Sequence, residues 1–235
     1  MIAIFVASAL VLMSQPTQGQ VTGGDDLAFW TVQRVLRDAQ ENKKLKTKIK
    51  YSESLSEEEY DTKNNRRSIK NESKTVNGSR KSQTAGFDID LYDILIDTYN
   101  FKLAGTGNAS GLTIIDDKVY VVIDFYPKPG LRYKNLADRF IHRLEGRMFI
   151  DVQGEHYYIH KFEARIPQKF SFTYWWGILP IPITIKSFGF TLTQERIAIE
   201  NIVVEKHIEA TVVFDSIRDG RREYKYDYDN FKYGK

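Results

Sequence analysis

The sequence predicts an α+β fold in which two amphipathic helices accompany an antiparallel meander of strands. Apolar residues recur at about 3.6 positions in residues 25–42 and 87–101, which is typical of helices that bury one face. Apolar and polar residues alternate with a period of two through most of the chain after residue 111. The length of 235 residues suffices for one core and demands no second domain.

Composition excludes several classes of function. The 34 Lys and Arg residues against 31 Asp and Glu residues give a net charge of +3, which is too small to indicate a nucleic-acid partner without a local basic patch. Cysteine is absent, which excludes disulfides, thiolate nucleophiles and thiolate metal sites. The chain contains no repeat of fixed period.

Residues 1–19 predict a signal peptide. Ile2 to Met13 form an apolar stretch, and Pro16 and Gly19 lie in the polar segment that follows it. The stretch is too short for a membrane-spanning helix, and it lacks a basic leading segment. We therefore expect cleavage near Gly19, export to the periplasm or cell envelope, and a mature single domain of residues 20–235.

The first predicted helix occupies residues 25–42. Its apolar positions share one side of a helical projection: Phe29, Val32, Val35, Leu36 and Ala39. Asp25 and Asp26 suit the positive end of the helix dipole.

A basic strand is predicted after this helix. From Leu45 the apolar residues alternate with Lys44, Lys46, Lys48 and Lys50. These lysines could contact anionic head groups, or they could protect a solvated edge strand from aggregation. Residues 41–81 as a whole are typical of exposed polar hairpins, with a turn signal at Asn77.

The second predicted helix spans residues 87–101, with Asp90, Asp93 and Asp97 on its solvent side. Strands follow, with turn signals at Asp116-Asp117 and Gln153-Gly154. The apolar stretch 170–190 also has a period of two, and prolines interrupt it at 180 and 182. We interpret it as two strands joined by a turn at GILP (177–180), with Pro182 at a strand start or sheet edge.

Three segments carry a family resemblance: VYVVIDFYPKPG (119–130), LEGRMFIDVQGEHYYIHKFEARI (144–166) and YKYDYDNFKY (224–233). In them the chain resembles bacterial exported proteins related to the lipoprotein carrier LolA, and it is most similar to their uncharacterised branch. The resemblance covers most of residues 25–233. Its sharpest points are Asp124, Phe125, Pro127, Pro129, Gly130, Gly146, Arg147, Ile150 and Asp151.

The resemblance implies a strongly curved antiparallel sheet that forms an incomplete, half-open β-barrel, with helices covering its open side. In the family the apolar interior can receive acyl chains. No local motif of the carrier aligns clearly, so the resemblance supplies a fold and a ligand class but no catalytic or carrier-specific residue.

A cavity or its rim is the strongest candidate site. The residues proposed to line it are Phe29, Val32, Leu36, Phe172, Tyr174, Trp175, Trp176, Ile178 and Leu179. Tryptophan suits a rim because its ring is apolar while its N–H can remain hydrated. The alternative is that this aromatic stretch simply fills the core.

Other candidate residues predict no chemistry. His156 and His160 on one strand face would lie about 13 Å apart, too far to ligate one ion. His142 and His207 are isolated in sequence, and no catalytic or phosphate-binding motif is present. We therefore expect no metal, no cofactor and no catalytic residue.

These observations favour a monomeric, exported, non-catalytic binding protein that shelters a lipid, a lipoprotein acyl chain or another amphiphile. It could act as a carrier in lipoprotein transport or as an envelope sensor, with an acylated protein or an envelope protein as partner and with peripheral membrane contact. The alternatives are a structural outer-membrane β-barrel and an envelope interaction protein without a small ligand. The two helices and the lysine-rich strand weigh against the outer-membrane barrel.

Overall fold

The structure, a computed structural model, describes residues 23–77, 91–105, 111–132, 136–176, 179–199, 201–217 and 219–233. Within these ranges it has three helices: α1 (Gly23–Lys46), α2 (Leu91–Thr98) and α3 (Leu136–Ile141). The strands are β1 (Ile49–Tyr60), β2 (Arg66–Asn77), β3 (Tyr99–Leu103), β4 (Leu112–Ile115), β5 (Lys118–Pro127), β6 (Glu145–Asp151), β7 (Tyr158–Ile166), β8 (Phe170–Trp176), β9 (Leu179–Arg196), β10 (Val203–Asp215) and β11 (Gly220–Tyr233).

The strands form one antiparallel sheet with the order β2-β1-β11-β10-β9-β7-β6-β5-β3. The short strand β4 extends the sheet beside β5, and β8 extends it beside β9. Among the described strands, β2 and β3 end this order and do not pair with each other, so the sheet is not closed. The α+β class and the antiparallel meander are confirmed, and the open sheet is consistent with a half-open barrel.

The main core lies between the sheet and the three helices. Ala28, Val32 and Val35 of α1 are buried there with Leu95 of α2 and Ile141 of α3. Two smaller clusters lie toward the other edge of the sheet, around Ile202 and Val204 and around Ile208, Tyr226 and Tyr228. No helix within the described ranges is long and apolar enough to span a membrane.

Helix α1 is longer than predicted, and the prediction that a basic strand begins at Leu45 is therefore wrong. Lys44 and Lys46 belong to the last turn of the helix, and β1 begins only at Ile49. Lysine and leucine are good helix formers, and lysines are favoured near the negative end of the helix dipole. These two effects outweigh the short alternation that indicated a strand.

The second helix is shorter than predicted at its carboxyl end. It ends at Thr98, and Tyr99 begins strand β3. The Tyr99 side chain is 1% exposed, and its hydroxyl donates to the backbone oxygen of Ile141 over 2.5 Å. This tertiary hydrogen bond and the pairing of Tyr99 with Pro127 place the residue in the sheet. The first predicted residues, 87–90, lie outside the described part.

Sequence reasoning missed α3. Phe140 and Ile141 pack against the main core from this helix, and Leu144 follows them into it. The helix has only six residues, so the apolar spacing is too brief to separate from a loop.

The stretch 170–190 is two strands, as predicted. β8 and β9 pair from Phe170–Ile185 to Trp176–Leu179, so Leu179 and Pro180 belong to β9 and not to the predicted GILP turn. The other two residues of that turn lie outside the described part. The β10 ladder on β9 ends at Thr184, so Pro182 pairs on the β8 side alone. A proline fits there because it removes no ladder hydrogen bond to β10.

Candidate functional site

The inner face of the sheet, defined as the face that carries the main core, has an apolar row that runs from β3 to β1. One row of paired residues crosses eight strands: Leu103, Ile123, Met148, Phe162, Leu192, Ile208, Tyr226 and Leu55. The middle of this row is fully buried, because Ile123 and Met148 have no exposed surface. The apolar face therefore continues from the main core to the last cluster without a polar break.

A neighbouring row contains both large and small residues: Phe101, Phe125, Gly146, Ala164, Phe190, Ala210 and Tyr224. The small residues leave room for aromatic rings from adjacent positions. The ring of Phe162 stacks on Phe125 at 4.9 Å between centroids and meets Phe190 edge-on at 6.1 Å. The inner face is thus lined with aromatic rings.

The helices cover the inner face unevenly, and some of its side chains on β9, β10 and β11 stay partly exposed. Helix α1 packs on β3, β7 and β10, and Phe140 of α3 contacts the rings of Phe170, Phe172 and Phe188. Five inner-face side chains of β9, β10 and β11 remain half-buried: Phe190, Leu192, Val212, Phe214 and Tyr224. We call these five residues the inner patch.

The predicted cavity residues fall into different environments. Val32 is buried in the main core, and Phe29, Leu36 and Phe172 are half-buried against it. Leu36 also lines a surface groove along α1, together with the exposed Trp30. The predicted site is therefore divided between the core and the outside of α1.

The proposed rim lies at the end of the β8–β9 hairpin. Leu179 is 58% exposed there. Tyr174, Trp175 and Trp176 belong to β8 by their backbone, but their side chains lie outside the described part, as does all of Ile178.

A pocket of about 350 Å³, lined by both polar and apolar residues, lies under the carboxyl half of α1. Asp38, Asn42 and Lys46, spaced four residues apart on one helix face, reach the sheet and its loops from there. The Asp38 carboxylate accepts the backbone N–H of Tyr157 over 2.7 Å. Asn42 both donates to and accepts from the backbone of Val203, at 2.8 Å each.

Lys46 completes this polar stripe by pairing with Glu205 over 2.5 Å. Burial raises the pKa of Glu205, but the charge and hydrogen bond of Lys46 outweigh it, so the pKa is lowered overall. Gln194, which is 3% exposed, also donates to Glu205. Glu205 is therefore a charged anchor for the end of α1.

His156 lies in the loop before β7 and not on the strand face predicted for it. Its Nδ1 is 3.9 Å from Oδ1 of Asp38 and 3.8 Å from Oε2 of Glu41. His160, on β7, stacks on Tyr120 instead. The sequence shows Asp38 and Glu41 on one helix face, but their approach to a histidine more than a hundred residues away has no local signal.

Some of the sharpest points of the family resemblance have structural roles in the sheet or in the turn after β5. Arg147 of β6 is paired with Asp124 of β5 through a 2.7 Å contact between Nε and Oδ1. Gly146 lies where a Cβ atom would be 1.9 Å from the backbone oxygen of Glu163. Gly130 has a positive φ of 77°, which favours glycine.

In comparisons with known proteins, no family model matches this chain, and no curated protein matches it either.

Proposed function

We propose that this protein is an exported, non-catalytic binding protein that shelters an acyl chain or another amphiphile against the inner face of its open sheet. The inner patch is the observation that carries the proposal. Its side chains lie between the main core and the cluster around Ile208, Tyr226 and Tyr228. They are half-buried in the described structure. A flexible apolar guest lying along them would remove this remaining surface from water.

The expected driving force is burial of hydrocarbon. Each methylene group transferred from water contributes about 0.8 kcal/mol, so about ten methylenes along the patch would gain roughly 8 kcal/mol before ordering costs. Such binding selects for chain length and apolar character more than for one head group. This selectivity suits either a carrier or a sensor of envelope lipids, acting as a monomer or with an acylated protein partner.

The family resemblance supports the same proposal, because a half-open barrel with an apolar interior is the fold that it implies. The open antiparallel sheet and its few helices are consistent with that fold. Export and cleavage near Gly19 remain predictions, since residues 1–19 lie outside the described part. Intact-mass measurement of exported protein tests them, and recovery of residues 1–19 on the mature protein would contradict them.

Titration with a long-chain fluorescent fatty acid tests the binding proposal. We expect saturable uptake by the wild type and about tenfold weaker uptake by Val212→Gln, because burying an unpaired amide costs about 1–3 kcal/mol. The matched control is Thr211→Gln, since Thr211 lies on the outer face of the same strand and lines an outer groove. Both variants are first compared with the wild type by circular dichroism.

Absence of uptake by the wild type would overturn the proposal and favour an interaction protein without a small ligand. Equal weakening by both substitutions would exclude the inner patch as the binding surface. Polar replacement of Trp175 and Trp176 tests the proposed rim separately, and unchanged uptake would contradict it. Native mass spectrometry of protein purified from its own envelope would then identify a retained lipid.

A further inference from the structure

We propose that Asp38, Glu41 and His156 form a binding site for one divalent transition-metal ion, with zinc as the best fit. The three ligand atoms, one from each side chain, lie within 4.8 Å of one another in the described structure. This inference is independent of the proposed acyl ligand.

The ligand atoms need only a small movement to hold an ion. Zinc binds imidazole nitrogen and carboxylate oxygen at about 2.0–2.2 Å, so two atoms around a tetrahedral ion lie roughly 3.4 Å apart. The two measured separations from Nδ1 of His156 are 3.8 and 3.9 Å. All three atoms lie within 4.8 Å of one another, so reaching that spacing needs at most about 1.4 Å of movement. The Glu41 and His156 side chains are 59% and 56% exposed, which permits such a rotation.

Asp38 is already fixed in the orientation that a ligand requires. Its side chain is 4% exposed, and Oδ2 accepts the backbone N–H of Tyr157 over 2.7 Å. The other oxygen, Oδ1, faces His156. Metal-binding carboxylates commonly have one oxygen held by a second hydrogen bond, which orients the ligand.

The loop that carries His156 is also held in place. Arg34 donates to the backbone oxygen of Glu155 over 3.0 Å, and its guanidinium lies over the Tyr157 ring at 4.0 Å. Arg196 donates to the backbone oxygen of His156 over 2.6 Å. The imidazole is therefore exposed, while the backbone of its loop is held by hydrogen bonds from Arg34 and Arg196.

The donor set favours zinc over magnesium or calcium, since the latter two prefer oxygen ligands alone. Three protein ligands would leave one position of a tetrahedral ion for water, and Asp38, Glu41 and His156 all line the pocket under α1. An ion here would join α1 directly to the loop before β7.

Arg37 opposes cation binding. Its Nε lies 3.4 Å from Oδ1 of Asp38, and its side chain is 65% exposed. The arginine must swing into solvent before an ion can bind, and its exposure permits that movement. Replacing it with a neutral residue should therefore strengthen binding, an effect that a purely structural role for Asp38 would not produce.

Calorimetric titration of the tag-free, chelator-treated protein with zinc chloride tests the site. We expect one ion per chain, a loss of about tenfold or more in affinity for His156→Gln and for Glu41→Gln, and tighter binding for Arg37→Gln. His207→Gln is the matched control. His207 also lies beside two carboxylates, but its Nδ1 faces Asp227 at 2.7 Å while its Nε2 faces Glu209 at 3.0 Å.

Thermal unfolding gives a second measurement, because a ligand that binds only the folded state raises Tm. Zinc should raise the Tm of the wild type and of His207→Gln but not that of His156→Gln, whose exposed side chain can be replaced without unfolding the protein. No binding by the wild type, unchanged binding by His156→Gln, or an equal loss in His207→Gln would overturn the proposal.

Discussion

His160 lies on β7 with its ring stacked on Tyr120 at 4.7 Å and its Nδ1 donating to the backbone oxygen of Gln194. Burial lowers the pKa of His160, and the hydrogen bond to Gln194 only partly opposes this effect. The unfolded chain therefore binds a proton at higher pH than the folded protein does. The neutral histidine contributes stability that is complete above its ordinary pKa of about 6.5 and is lost as pH falls through the lower folded value.

We predict that the free energy of unfolding decreases between pH 7.5 and pH 5, and that His160→Gln makes this decrease smaller. Urea unfolding at a series of pH values measures the slope for both proteins. An identical slope in the wild type and the variant would show that other groups account for the dependence.

Asn42 makes two backbone hydrogen bonds that connect α1 to the first residue of β10. We predict that Asn42→Ala lowers the free energy of unfolding by about 1–3 kcal/mol, because it leaves a donor and an acceptor of Val203 without their partner. Gln40→Ala, at an exposed position of the same helix, should change it by less than about 0.5 kcal/mol. Urea unfolding compares the two, and equal effects would contradict the docking role of Asn42.

At the scale of single elements, two glycines of the sheet offer a matched pair. A Cβ atom on Gly146 would lie 1.9 Å from the backbone oxygen of Glu163, whereas a Cβ atom on Gly189 would have no neighbour within 4 Å. We predict that Gly146→Ala costs at least about 1–3 kcal/mol by forcing β6 and β7 apart, while Gly189→Ala is nearly neutral. Thermal unfolding checks this, and a neutral Gly146→Ala would show that the two strands shift at no cost.

The strands were more predictable than the helix ends. Alternation identified β5, β6, β7, β10 and β11 because each buries one face, and Asp116-Asp117 marked a tight turn. Both aspartates have positive φ, at 47° and 61°, as a two-residue hairpin requires. The end of α1 was mispredicted because the lysines that alternate from Lys44 to Lys50 satisfy a strand pattern as well. The helix propensity of lysine and leucine, the helix dipole and the pairing of Lys46 with Glu205 favour the helix instead.

For the candidate site, the sequence indicated only which side chains are apolar. Val32 lies in the main core and Phe172 packs against it, and the proposal that they line a ligand cavity stays a prediction. The polar stripe of α1 is visible in the sequence as a spacing of four, but its partners are the backbone groups of Tyr157 and Val203. Backbone N–H and C=O groups occur in almost every residue, so the sequence does not show which of them a polar side chain will bind.

For the whole molecule, the first and last described strands lie side by side. Ser56 of β1 pairs directly with Lys225 of β11, and the chain has no native cysteine. We predict that Ser56→Cys combined with Lys225→Cys forms a disulfide that adds about 2–4 kcal/mol to stability. Thermal unfolding with and without reductant measures the gain, with Ser56→Cys alone as control, and failure to cross-link in the folded protein would contradict the pairing.

The same adjacency determines when the protein can finish folding. Because residue 49 pairs with residue 233, the hairpin of β1 and β2 cannot join the rest of the sheet until β11 has been synthesised. An isolated two-stranded hairpin is marginally stable in water, and contacts between distant parts of a chain form slowly, on the order of milliseconds to seconds. A chain that enters an export channel with its N-terminus leading would therefore remain incompletely folded during transit, and its sheet would reach full width only after the last strand emerged.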